Sequence, residues 1–185
     1  MASNAPGAGR GFPWRIVGWG GAVALLLLPF VAMQFTKEVN WTLGDFVVFG
    51  VMILMVGIPL ELTMRMSRNW SYRGGALLAL VGMFLTIWAN LAVGIVGSED
   101  NPANQLFFAA LLVGIVGAVV VRGRPRGMSW AMVATAASLG IAFVIAVSGP
   151  TDEPQVPHIR ELIGTGMFAA LFLGSAGLFG RASRA

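Results

Sequence analysis

The sequence predicts an all-α integral membrane protein, a compact bundle of six transmembrane helices with both termini cytoplasmic. Three observations carry that expectation. The 185 residues are 57% hydrophobic and only 11% charged, whereas soluble domains carry about 25% charged residues. Six apolar segments reach or approach the roughly 20 residues needed to cross a bilayer at 1.5 Å per residue. Ten of the twelve basic residues fall on one side of a six-span arrangement, the pattern of positive residues retained on the cytoplasmic side.

The elements follow in order. Residues 1–13 are rich in Gly, Ala and Pro and read as a disordered cytoplasmic tail. The six-helix membrane domain covers 14–181, and 182–185 form a short cytoplasmic tail. Span one covers about 16–35. Its apolar run exceeds the 7–15 residues of a signal-peptide core and no A-x-A site follows, so it reads as a retained span. Span two covers about 45–64, with Pro59 loosening its ladder and Arg65 closing it. Span three covers about 74–97, between Arg73 and the polar run that starts at Ser98. Span four, about 106–121, is the shortest. Asn101 before Pro102 reads as a helix N-cap with proline at the first position, and Asn104 and Gln105 extend the outer end. A tight hairpin, Arg122–Gly127, leads into span five at about 128–148. Span six covers about 162–180.

Arg10, Arg15, Arg65, Arg68, Arg73, Arg122, Arg124, Arg126, Arg181 and Arg184 share the predicted cytoplasmic side, while Lys37 and Arg160 lie outside with most of the acids. The net charge of +4 is therefore explained by topology, and no nucleic-acid partner is expected. Trp14, Trp70, Tyr72 and Trp130 at the inner boundary and Trp41 at the outer one fit the aromatic belt of an interface; Trp88, near the middle of span three, does not. With no cysteine and one histidine, thiolate zinc sites, iron–sulfur clusters, cysteine nucleophiles and two-histidine haem sites are excluded within the chain. No cofactor is expected, apart from the option of a divalent cation at the outer face.

Small residues at four-residue spacing let helix backbones approach in lipid. Such stripes run through Gly82, Thr86, Asn90 and Gly94 in span three, Ala110, Gly114 and Ala118 in span four, Ala134, Ser138, Ala142 and Ala146 in span five, and Gly166, Ala170 and Gly174 in span six. Short similarities between spans two, four and six (Val56-Gly57-Ile58 with Val113-Gly114-Ile115, and Phe108-Ala-Ala-Leu with Phe168-Ala-Ala-Leu) are open to two readings, a transporter-like repeat or chance within a small apolar alphabet.

Few residues could carry chemistry. Asn90 is the deepest strongly polar residue, read as either an interhelical hydrogen bond or a contact to a substrate. Glu61 is either a proton-carrying carboxylate or a partner of Arg65 four residues on. Glu99, Asp100 and Asn101 are weak cation ligands or helix-start residues complementing the dipole of span four. His158, beside Asp152, Glu153, Arg160 and Glu161, is a further weak metal or proton-relay residue, or simply a solvated one.

The run Trp88-Ala-Asn-Leu-Ala-Val-Gly-Ile-Val-Gly-Ser-Glu-Asp-Asn-Pro-Ala-Asn104 resembles one found in small bacterial multi-span membrane proteins of unassigned activity, with the likeness extending from Gly44-Asp45 to Arg126-Gly127-Met128. The resemblance implies bacterial inner-membrane placement and a multi-span fold, and brings no residue a role.

Short loops and small-residue faces favour a non-catalytic protein, an accessory or structural subunit of a bacterial inner-membrane complex, in contact with the bilayer and with a membrane protein partner or further copies of itself. The alternative is a small-solute or ion transporter built around Asn90 and Glu61. The third reading is a membrane enzyme or metal site in the outer acidic loops.

Overall fold

The computed structural model describes residues 14–149 and 158–185. The predicted tail 1–13 and the acids Asp152 and Glu153 lie outside the described residues. Those described form no strand and six α-helices: α1 (Trp14–Ala32), α2 (Leu43–Met66), α3 (Trp70–Ala92), α4 (Gln105–Val120), α5 (Pro125–Ser148) and α6 (Ile159–Ala182). A single 3-10 turn, Pro102–Asn104, leads into α4. All six helices, α4 counted with that turn, are long and apolar enough to cross a membrane.

Packing divides the chain inside α2, into a unit of residues 1–57 and a unit of residues 58–185. In the first unit, α2 begins with a reciprocal cap. The Thr42 amide and hydroxyl both donate to Asp45 Oδ2, at 2.7 and 2.8 Å, and the Asp45 amide, a donor that the first helical turn leaves open, donates back to Thr42 Oγ1 at 3.4 Å. Trp41 meets Phe46 and Phe49 edge to face, with centroids 5.2 and 5.3 Å apart. The Trp19 ring lies over Gly57, where a Cβ would sit 3.0 Å from it.

In the second unit, α6 lies between α3 and α5, and α4 packs on α5. Size complementarity drives the α3–α6 contact. Phe179 and Phe172 are buried against Gly75 and Gly82, where an added Cβ would lie 3.2 and 3.3 Å from the rings. Bulk on one helix thus fills the hollow left by glycine on the other, the close approach that helix association in lipid requires. On the far side, Gly114 and Gly117 of α4 meet Thr135 and Ala131 of α5. Three hydrogen bonds tie one end of this unit. Ser175 Oγ donates to Gly75 O at 2.7 Å, Ser129 Oγ to Ala176 O at 2.8 Å, and the Tyr72 hydroxyl to Gly123 O at 2.8 Å. Arg73 joins α2 to α3 at that end, donating to Met64 O and Ser67 O. Those carbonyls would otherwise be left open by the end of α2.

The stripe expected on α3 is buried at Gly82, Thr86 and Asn90, and that on α4 at Ala110 and Gly114. Two other stripes differ. On α5 the buried face runs through Ala131, Thr135, Leu139, Ala142 and Ala146, so Ala134 is exposed. On α6 the buried face is Thr165, Phe168, Phe172, Ser175 and Phe179, and Gly166, Ala170 and Gly174 are exposed. The reason is that α6 supplies bulk rather than hollows to its neighbours. The third helix also ends at Ala92, well before Gly97. Gly94 and Gly97 take φ of +74° and +67°, left-handed backbone that leaves the helix although Val93–Gly97 is as apolar as what precedes it.

Candidate functional site

The most elaborated polar arrangement lies where α3, α4 and α6 meet, at the end of the second unit opposite the Tyr72–Gly123 bond. Its centre is Asn104, a residue that the sequence suggests only as an extension of α4. The side chain is 4% exposed. Its Oδ1 accepts from the amides of Ile95 and Val96, both at 3.0 Å. Its Nδ2 donates to Val96 O at 3.2 Å and Ser98 O at 2.7 Å. One amide side chain thereby stands in for a strand partner to the segment that leaves α3. Two buried amides need such a partner once the helix has stopped. The left-handed Gly94 permits the turn, and a Cβ there would collide with Ser98 O and the Asn104 side chain.

Asn90 completes the junction from below. It is buried, as its stripe predicts, and its Nδ2 donates to the Asn104 carbonyl at 2.9 Å. Because α3 ends at Ala92, Asn90 sits in the last turn of the helix. Its Oδ1 is buried without a hydrogen-bond partner, as is Thr165 Oγ1 on α6. The antiparallel register set by the Gly75–Phe179 and Gly82–Phe172 contacts brings Asn90 and Thr165 to the same level of the α3–α6 seam.

Glu161 ties the loop to α6. Its Oε1 accepts from the Gly97 amide at 2.8 Å, and its Oε2 lies 2.6 Å from His158 Nδ1, a ring nitrogen that donates when protonated. As a first-turn acid, Glu161 also complements the positive end of α6. Between α3 and α6 at this end opens a cleft of about 670 Å³, lined by Ala89, Val93, Gly94, Arg160, Glu161 and Phe168 among others.

The remaining sequence-predicted residues fall as follows. Asn101 caps the 3-10 turn, its Oδ1 accepting from Ala103 N at 2.9 Å with Pro102 in the first position. Glu99 and Asp100 are exposed on the loop before it. Glu61 pairs with Arg65 at 2.5 Å, the four-residue spacing of a helix-face ion pair. Among the described residues, no three His, Cys, Asp or Glu side chains gather as metal ligands do. His158 and Glu161 come together, whereas among the described residues neither Glu99 nor Asp100 joins them in such a group. Sequence reasoning misses Asn104 because its partners are main-chain groups of the segment after α3, which carry no residue-type signal.

Six membrane-length helices define the class, an integral multi-pass membrane protein. Comparison with protein-family models, curated proteins and solved structures finds no match to the chain.

Proposed function

We propose that this protein is a non-catalytic accessory or structural subunit of a bacterial inner-membrane complex, with both termini cytoplasmic. The observation that carries the reading is the outward face of α6. Gly166 and Gly177 have open space where a Cβ would stand, and Ala170 between them is exposed. Small residues on a lipid-level surface leave a groove into which a partner helix packs, whereas lipid tails gain nothing from them. The polar side chains at the helix junction support the same reading, because Asn104, Asn101 and Glu161 are engaged by the chain's own backbone amides. The arginine asymmetry supports the orientation, and the Trp88–Asn104 resemblance supports the inner-membrane placement.

Purification from native membranes in a mild detergent, followed by native mass measurement, tests this. A stoichiometric complex is expected, and Gly166→Leu with Ala170→Leu should release the chain as a folded monomer of unchanged melting temperature. A wild-type chain that emerges alone and monomeric refutes the reading.

A transporter is the second reading. The cleft of about 670 Å³ carries Arg160 and Glu161 at its wall, and the unpaired Asn90 and Thr165 oxygens lie on the same seam. Solute flux in proteoliposomes of the purified chain, abolished by Asn90→Leu, would favour it over the accessory role.

A further inference from the structure

The α4–α5 hairpin lies at the opposite end of the second unit from the Asn104 junction. It turns in the few residues between Val120 and Pro125. Arg122 holds a φ of +52°, the left-handed region that a side chain other than glycine, asparagine or aspartate seldom takes, and Gly123 follows at +67°. The turn therefore keeps an arginine where glycine or asparagine would sit with less strain. Backbone strain of this kind is retained where surrounding structure or function requires it.

Arg122, Arg124 and Arg126 are all exposed, and none has a carboxylate within ion-pair distance among the described residues. They line a cleft of about 500 Å³ whose other wall is apolar, formed by Val120, Val121 and Trp130. Val120 and Trp130 are 72% and 68% exposed. The hairpin joins two membrane-length helices, so it lies at the level where hydrocarbon gives way to headgroups. A ligand that fits must bring phosphate oxygens for the guanidinium groups and an apolar stem for the valines and the indole. Guanidinium groups form paired hydrogen bonds with phosphate. Three uncompensated positive charges select a headgroup of net negative charge over a zwitterionic one.

We propose that the α4–α5 hairpin binds the phosphate of an anionic phospholipid, with Arg122, Arg124 and Arg126 on the headgroup and Val120, Val121 and Trp130 along its acyl stem. A free phosphate ion would share the headgroup chemistry and lack the stem. The first turn of α5 adds to the field, since no side chain caps its N-terminus and its dipole favours an anion.

The full-length chain in nanodiscs tests the proposal, with phosphatidylcholine alone, phosphatidylcholine plus phosphatidylglycerol, or phosphatidylcholine plus inorganic phosphate in the buffer. Phosphatidylglycerol should raise the melting temperature and leave a retained lipid adduct in native mass spectra, and inorganic phosphate should do neither. Each basic side chain near a membrane surface is worth about a fivefold preference for anionic lipid, so Arg122→Asn with Arg124→Gln and Arg126→Gln should lower the preference roughly a hundredfold. Arg181→Gln with Arg184→Gln, which removes charge at the C-terminus, should keep both the adduct and the shift. The single exposed change Arg124→Gln gives a partial loss should the triple variant fold poorly. The proposal is overturned if the triple or single variant retains the full phosphatidylglycerol effect, if the Arg181 and Arg184 changes remove it equally, or if inorganic phosphate reproduces it.

Discussion

Replacing Asn104 with alanine should unlatch the segment that follows α3. The substitution removes four hydrogen bonds, to Ile95 N, Val96 N, Val96 O and Ser98 O. At the average of about 0.6 kcal/mol measured for hydrogen bonds in membrane proteins, their sum is about 2 kcal/mol. The orphaned groups argue for more. Ile95 and Val96 are 8% and 2% exposed, so their amides stay away from water when the partner is gone. Each unsatisfied buried donor costs about 1–3 kcal/mol. We therefore expect Asn104→Ala to lower unfolding free energy by about 2–4 kcal/mol. Asn101→Ala is the internal control, because it removes one cap bond on the same turn, worth about 1 kcal/mol. Equilibrium unfolding by denaturing detergent, read by helicity, compares the three proteins. Hydrogen exchange at Ile95 and Val96 should accelerate in the Asn104 variant before global unfolding. If Asn104→Ala costs no more than Asn101→Ala, or if those amides stay protected, Asn104 is not the latch.

Other consequences follow from the same packing. Gly94→Ala should destabilise by at least about 1–2 kcal/mol in the same unfolding assay, because φ is +74° and the added methyl meets Ser98 O. Gly82→Leu should cost about 1–3 kcal/mol by overpacking against Leu171 and Phe172, while Gly140→Leu, where nothing lies within 4 Å, should stay near wild type; thermal melts of both variants check the contrast. Calcium or zinc titration should leave the melting temperature unchanged, since Asn101 is engaged as a cap and Glu99 and Asp100 stand exposed with no third ligand group gathered beside them among the described residues. A metal-dependent rise that Glu99→Gln with Asp100→Asn removes would establish a cation site by mass action on the folded state.

Much of this fold is legible in residue patterns. Hydropathy and arginine positions locate each helix to within a few residues, because a membrane span must be both apolar and long. The burial of Asn90, the Glu61–Arg65 pair and the Asn101–Pro102 start also follow from spacing, because each depends on contacts within one turn or on one helix face. The end of α3 does not follow. Val93, Ile95 and Val96 are as apolar as the helix before them, and only the backbone reveals that Gly94 and Gly97 turn left-handed. The Asn104 latch is hidden for the same reason, since its partners are main-chain amides that exist as open donors only after the helix has stopped. The face of α6 is hidden differently. Small-residue spacing identifies a surface capable of close approach, but which surface the neighbours use depends on where Phe172 and Phe179 find glycine opposite them.

The central proposal is the orientation of the six membrane-length helices, with the Arg65–Arg73, Arg122–Arg126 and Arg181–Arg184 ends on the cytoplasmic side. The chain has no native cysteine, so single cysteines at Ser98 and Ser67 report without background. In intact cells treated with a membrane-impermeant thiol reagent, Ser98→Cys should label, and Ser67→Cys should label only after the cells are opened. Labelling of Ser67→Cys in intact cells, or protection of Ser98→Cys there, would contradict the arrangement.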